Sequence, residues 1–242
     1  MNIVKVDATT STNTLAKVLN KDRKEKSFCV SAEFQTQGRG QLNSSWQSSR
    51  SENLMFTVVF NEINLKTENQ FALNALVCLG ILRVLKTYDI SNLSFKWPND
   101  ILSEQNKICG ILIENTLNKN LIKTSYIGIG LNVNQTHFEN LPKASSLKKI
   151  KNIHFDRNEL LNKLIDELDE IPKELNTHSI EHIISVYKRY LYNYKKETEF
   201  ALPKGNSFKG QIQDIATDGR LLVKQNSGQE QFYAHKEISQ VF

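Results

Sequence analysis

The segment Lys96-Trp97-Pro98-Asn99-Asp100, followed by Lys107-Ile108-Cys109-Gly110-Ile111-Leu112-Ile113-Glu114, constrains this chain most. Pro98 fixes its own φ and has no N–H to give to a sheet ladder, so a strand that carries Trp97 must end there. Two apolar runs then flank one polar turn. A strand-turn-strand with a solvated tip accounts for Pro98, Asn99 and Asp100. It does not account for two lysines, a tryptophan and a glycine in the same short segment. A polar tip held at a sheet end is where convergent groups can serve a ligand. Lys107 is placed to meet an anion, and Asp100 to steer an amine or a proton.

Around this segment the patterning alternates between periods two and 3.6. Residues 3–6, 28–34, 54–60, 93–97, 108–114 and 121–133 read as strands, the last two joined by the turn Asn118-Lys119-Asn120. The polar cluster from Thr9 to Asn13 suits the cap of a helix carrying Leu15, Val18 and Leu19. Residues 69–87 place Leu76, Leu79, Leu82 and Leu85 on one helical face. Asp156 with Glu159 resembles a capping box, opening a helix with Leu160, Leu161, Leu164, Ile165 and Leu168 on one side. Another helix follows Ser179. After about Glu197 the chain turns to short strands at 208–215, 221–224, 231–233 and 238–242, with hairpin turns at Asp218-Gly219 and Ser227-Gly228. This tail reads as a small β-barrel-like domain.

At 242 residues, 39% hydrophobic and 24% charged, the chain has enough material for one large core and a small appendage. Apolar runs such as 54–56 and 111–113 are too short to span a bilayer, and the N-terminus has no signal-peptide core, so a cytoplasmic protein is expected. Cys29, Cys78 and Cys109 are widely spaced and read as reduced, buried thiols. A net charge of +5 suits an anionic ligand or acidic partner and is weak support for nucleic acid.

Two glycine pairs could hold a ligand against backbone. Gly38-Arg39-Gly40 lies in a polar loop over 38–50 and offers a guanidinium fork; a plain surface loop is the alternative. Gly128-Ile129-Gly130 lies in a strand, where a bulge is the alternative, and Asn132 and Asn134 follow on one face. Neither pair is a dinucleotide fingerprint, because Asn43 and Val133 stand where a third glycine would fall, and there is no P-loop. His178 and His182 share a helical face but lack the neighbouring Glu of a zinc motif, and no metal-ligating residue is expected. Ser145-Ser146-Leu147-Lys148 lacks the companion motifs of serine acyl enzymes.

Together these segments resemble biotin protein ligases. The pieces run in the family order: Thr10-Ser11-Thr12-Asn13, Gln35, Gly38-Arg39-Gly40, Trp46, Lys96 to Ile101, Lys107 to Glu114 and Gly128 to Asn132. The tail with Phe208-Lys209-Gly210, Asp218-Gly219 and Glu237-Ile238-Ser239 is similar to the family's SH3-like C-terminal domain. The resemblance implies an α+β fold: a mixed β-sheet catalytic domain flanked by helices (class II synthetase-like) over 1–196, and an SH3-like barrel over 197–242. It implies that biotin and Mg-ATP give biotinyl-5'-AMP, whose acyl group passes to one lysine of a biotin carboxyl carrier domain.

By the same resemblance Lys107, Asp100 and Arg39 carry the catalysis. Ser11, Thr12, Asn13, Gln35, Arg39, Gly40, Gln41, Lys107, Gly110, Gly128 and Gly130 hold biotin. Arg39, Gln41, Trp46, Asn99, Lys107 and Asn132 face the nucleotide. Many relatives continue Gly-Arg-Gly with a further arginine; Gln41 stands there, leaving less positive charge at the phosphate. Cys109 stands where a smaller residue is usual, which raises the question of sensitivity to oxidation. The Thr-Ser-Thr-Asn motif starts at residue 10, so no N-terminal helix-turn-helix and no DNA partner are expected. A homodimer through a free strand edge is compatible with the pattern. The alternatives are a lipoate or octanoate ligase or transferase of related fold, and a basic nucleic-acid-binding module.

Overall fold

A computed structural model of the chain describes residues 1–41, 44–203 and 205–241. Asn43 and Phe242, named above, lie outside the described residues. The chain begins with β1 (Asn2–Thr9), α1 (Thr12–Leu19), β2 (Ser27–Gln35) and β3 (Leu54–Lys66). A single 3-10 turn leads into α2 (Gln70–Thr87), then β4 (Leu93–Lys96), β5 (Asp100–Ser103), β6 (Asn106–Asn118) and β7 (Leu121–Leu131). These strands form one seven-stranded sheet in the order β1-β2-β3-β7-β6-β5-β4. The β1–β2 pair is parallel, as its crossover helix α1 requires, and every other neighbour is antiparallel.

Helices cover both faces of the sheet. α1 lies over a small cluster of Ala16, Phe28, Val30, Val59 and Tyr126. The main core lies on the other face, under α2, α4 (Arg157–Asp169), α5 (Ile171–Thr177) and α6 (Ile180–Lys188), with the short α3 (Leu147–Lys151) preceding them. The expected leucine face of α2 is buried, and so is most of the rest of the helix, because α4, α5 and α6 pack around it. Thr67–Thr87 is long and apolar enough to cross a membrane, which a count of short apolar runs did not reveal; 78% of its 18-residue apolar window is buried inside the fold. On α1 the expectation fails in part. Val18 is 56% exposed, and Ser11 occupies the cap position without capping through its side chain. Asp156 accepts from the backbone of Asn158 and Glu159, but Glu159 pairs with Lys163 instead of closing a capping box.

The tail forms a separate antiparallel sheet, β11-β10-β9-β8-β12, built from β8 (Glu197–Ala201), β9 (Ser207–Ile215), β10 (Leu221–Gln225), β11 (Glu230–Tyr233) and β12 (Ser239–Gln240). Strand patterning missed β5, β8 and the short helices α3 and α5, all of them short segments with few periods to read. Gly219 and Gly228 adopt φ values of +91° and +90°, which the tight turns need. Phe200, Ile212, Leu221, Val223 and Ile238 of the tail belong to the same apolar core as α2 and the large sheet. Trp97, joined to Pro98 by a cis peptide, donates its indole N–H to the Gly219 carbonyl at 2.8 Å. The second sheet is thereby held over the Lys96–Asp100 corner.

Candidate active site

A cavity of about 410 Å³ opens between the two sheets. The middle of β6 and β7 forms its floor through Gly110, Ile111, Leu112, Gly128, Ile129 and Gly130. Ser11, Thr12 and Asn13 at the start of α1 and Gln35 at the end of β2 close one end. Arg39, Gly40, Gln41 and Trp46 arch over it, and Lys96 to Asp100 with Lys107 form the other end. Of the residues expected from sequence, Asn132 alone does not line the cavity. Its amide N–H donates to the Ser145 carbonyl at 2.9 Å.

The α1 end is a dense polar network. The Thr12 backbone N–H and hydroxyl donate to Gln35 Oε1 at 2.8 and 3.2 Å. Thr57 Oγ1 lies 2.8 Å from Thr12 Oγ1 and 2.6 Å from Asn13 Oδ1. Asn13 Nδ2 donates to Glu114 Oε2 at 2.8 Å. A Cβ on Gly128 would fall 2.5 Å from Asn13 Oδ1, so glycine is what lets Asn13 reach β7. Such a set offers donors and acceptors inside an apolar slot, the requirement of a small polar ring. Thr57, fully buried, is part of this network although nothing in the apolar run around it sets it apart in the sequence.

Cations stand at both ends, Lys107 and Lys96 at the Lys96–Asp100 corner and Arg39 with Lys17 at the α1 end. Lys107 Nζ pairs with Asp100 at 2.7 Å and sits 5.6 Å from the centre of the Trp46 ring. Arg39 grips Glu114 through both guanidinium nitrogens, at 2.9 and 3.3 Å, and Lys17 meets the same carboxylate at 2.8 Å. Burial alone would raise the Glu114 pKa; hydrogen bonds from Lys17 and Asn13 and the charge of Arg39 hold it below the usual range. Lys96 is pushed down by burial, with Asp100 opposing and Lys107 adding to the shift. Asn99 is fixed by donating to the Ile111 carbonyl at 2.6 Å.

The second sheet also reaches the cavity, through Ala201, Leu202, Pro203, His235, Lys236 and Gln240, none of which the sequence singled out. Burial pushes the buried Cys109 thiol well above its ordinary range, and Cys109 does not line the cavity. His178 and His182 stack at 5.0 Å on the far helices; among the described residues no group of three His, Cys, Asp or Glu side chains could hold a metal ion.

Comparison with known proteins bears on this geometry. The chain is 26% identical over 233 residues to the bifunctional ligase/repressor BirA of Bacillus subtilis, covering 94% of this chain and 71% of that protein. It is 27% identical over 198 residues to the biotin--[acetyl-CoA-carboxylase] ligase of Mycobacterium tuberculosis, covering 79% and 71%. The biotin protein ligase of Aquifex aeolicus, solved with biotin and ATP, superposes with a TM-score of 0.82 at 24% identity, over 99% of this chain and 98% of that one. Residues 196–234 match the biotin protein ligase C-terminal domain. Residues 5–132, more than half the chain and most of the cavity, match the Biotin/lipoate A/B protein ligase family. The chain therefore belongs to the Biotin/lipoate A/B protein ligase family.

Proposed function

We propose that this protein is an ATP-dependent biotin ligase that forms biotinyl-5'-AMP and passes the biotinyl group to a lysine of a biotin carboxyl carrier domain. The single observation that carries this reading is one glycine-floored slot that has a polar network with the Arg39–Glu114 pair at its α1 end and the Lys107–Asp100 pair at its other end. The relatives named as biotin ligases support the choice of biotin.

In the first step the biotin carboxylate attacks the α-phosphorus of ATP. An O–P bond forms, and the bond to the β-phosphate oxygen breaks, so pyrophosphate leaves with the electron pair. Two anions must be brought together, which calls for fixed cations in a site shielded from water. Lys107 and Arg39 are suited to that work once ligand oxygens replace Asp100 and Glu114 as their partners. Asn99 and Trp46 face the nucleotide. Mg²⁺ would enter as the ATP complex, with Asp100 the one carboxylate among the described residues lining the cavity.

In the second step the carrier lysine attacks the acyl carbon, an amide forms and AMP leaves. Asp100 orients the amine and takes its proton; free lysine, with a pKa near ~10.4, is mostly protonated at neutral pH. In this reading residues 1–196 carry the chemistry, and 197–242 close the nucleotide end. Three buried, unpaired cysteines suit a reducing cytoplasm. β1 ends the sheet and offers an edge along which two copies could pair. Purified protein with ATP, Mg²⁺ and either biotin or lipoate tests the reading: pyrophosphate release is expected with biotin. Release with lipoate alone would move the protein to the related lipoate ligases.

A further inference from the structure

Trp46 reaches over the cavity from the connection between β2 and β3, so its place is set where that connection meets the sheet. Leu54 opens β3 opposite Leu131, where β7 ends. The chain therefore enters β3 beside the segment 132–135. At that junction stands Asn53, a polar side chain with no solvent exposure. A buried amide is tolerated where its donors and its acceptor are all answered.

Those of Asn53 are. Its Oδ1 accepts the Val133 N–H at 2.9 Å, and its Nδ2 donates to Ser48 Oγ at 3.0 Å and to Gln135 Oε1 at 2.6 Å. Gln135 Oε1 also accepts the Ser49 N–H at 3.0 Å, and its Nε2 donates to the His137 carbonyl at 2.6 Å. Neither amide can turn over, because a backbone N–H only donates and a backbone carbonyl only accepts. The Asn134 N–H adds a bond to the Glu52 carbonyl at 2.8 Å. Ser48 and Ser49 are thus tied to the end of β7 just beyond Trp46. On the other side the Trp46 N–H donates to the Gly38 carbonyl at 2.9 Å. The same end of β7 carries Gly130, against which the indole lies. One polar cluster therefore fixes both the backbone that carries the ring and the strand beneath it. Ser48, Asn53 and Gln135 do not line the cavity, so whatever they contribute to the site passes through Trp46.

We infer that Gln135, oriented by Asn53, is a positioning residue for Trp46: it holds the indole over the slot, where the ring keeps water from the acyl phosphate. This rests on the adenylation proposed above. Toward the loop Gln135 uses only its oxygen, so a carboxylate can replace it and an alkyl chain cannot. Gln135 is half-buried and outside the apolar core, so Gln135→Leu and Gln135→Glu can be compared as folded proteins. One readout is acrylamide quenching of tryptophan fluorescence without ligands. It reports Trp46, because Trp97, the only other tryptophan, is 4% exposed. The other is pyrophosphate release with biotin, ATP and Mg²⁺ but no carrier. There a burst measures adenylate formation, and the steady rate after it measures loss of the adenylate to water. Gln135→Leu should raise the quenching, and should raise the steady rate about tenfold, the worth of one hydrogen bond, with the burst rate unchanged. Gln135→Glu should match the wild type in both. Wild-type quenching and steady rate in Gln135→Leu overturn the inference, and so does a Gln135→Glu protein that behaves like Gln135→Leu. Wild-type protein that gives no burst overturns the biotin reading instead, and the quenching comparison then decides the role of Gln135 by itself.

Discussion

The indole of Trp46 rests on the bare backbone of Gly130: a Cβ there would lie 2.3 Å from the Trp46 ring. Gly128, two residues earlier on the same face, stands in the same relation to Asn13.

The two glycines nevertheless predict different outcomes. Trp46 is half-buried on a loop and can give way. Asn13 is buried and bonded to Thr57 and Glu114, so it cannot. Gly128→Ala should therefore cost about 1–3 kcal/mol of stability, the range for overpacking, and weaken biotin binding. Gly130→Ala should cost under about 1 kcal/mol, because the neighbour yields, but should let the activated intermediate hydrolyse faster as the indole loses its seat. Urea unfolding and retention of labelled adenylate measure the two. Equal destabilisation by both substitutions would refute the contrast.

The site was legible in the sequence where chemistry forces a rare local pattern. Pro98 ends a strand, and Gly110, Gly128 and Gly130 leave bare backbone, so those positions could be read without a fold. The contributions of Thr57, Lys236 and His235 could not. Thr57 sits in an apolar run that reads as ordinary core, and its meaning depends on α1 lying across β3. Lys236 gains its place only when the second sheet packs against Trp97. Asn132 shows another limit: a polar residue after a glycine pair suggests a ligand contact, and its amide N–H is bonded to the Ser145 carbonyl while its Oδ1 is buried without a partner, which only the fold reveals. Helix α2 was legible as a helix, but its all-round burial depends on three partners distant in sequence.

Lys107→Ala should lower the rate of adenylate formation about 10²- to 10³-fold, as loss of a preorganised charge does. It also strips the partner from Asp100, whose side chain is 16% exposed. An unpaired, largely buried carboxylate costs about 1–3 kcal/mol. The double variant Lys107→Ala/Asp100→Ala should regain that stability without regaining activity. Pyrophosphate release and urea unfolding on the same samples separate the two effects. Near-normal turnover in Lys107→Ala would remove the lysine from the mechanism.

Acid should destabilise the fold through carboxylates that tie distant elements together. The folded pKa of Glu114 is depressed, and so is that of Glu33, where hydrogen bonds from Arg157 and Ser51 overcome the opposing effect of burial. Lowered folded values mean that these contacts stabilise above the ordinary glutamate value of about 4.3 and lose their effect as pH falls through the folded values. The urea midpoint should hold from pH 7 to about 5 and drop steeply below about 4. Glu114→Gln, which keeps the shape but not the charge, should flatten that drop. It should also free Arg39 and raise its susceptibility to guanidine-directed reagents. Parallel pH profiles for wild type and variant would assign the acid response to other groups.

Gln41 marks the one place where this loop offers less charge than its neighbours invite. It lines the cavity beside Arg39, and its Oε1 is buried without a hydrogen-bond partner. An amide oxygen cannot answer a phosphate, whereas a guanidinium can bind one bidentately. Gln41→Arg should therefore slow release of the adenylate by up to about tenfold, one charge-assisted contact's worth, while leaving biotin affinity alone. The competing outcome is capture of the introduced guanidinium by Glu114, which already holds Arg39. Retention of radiolabelled adenylate through gel filtration distinguishes the two: slower release shows a phosphate contact. Unchanged release would show that the new charge had been neutralised before any ligand arrived.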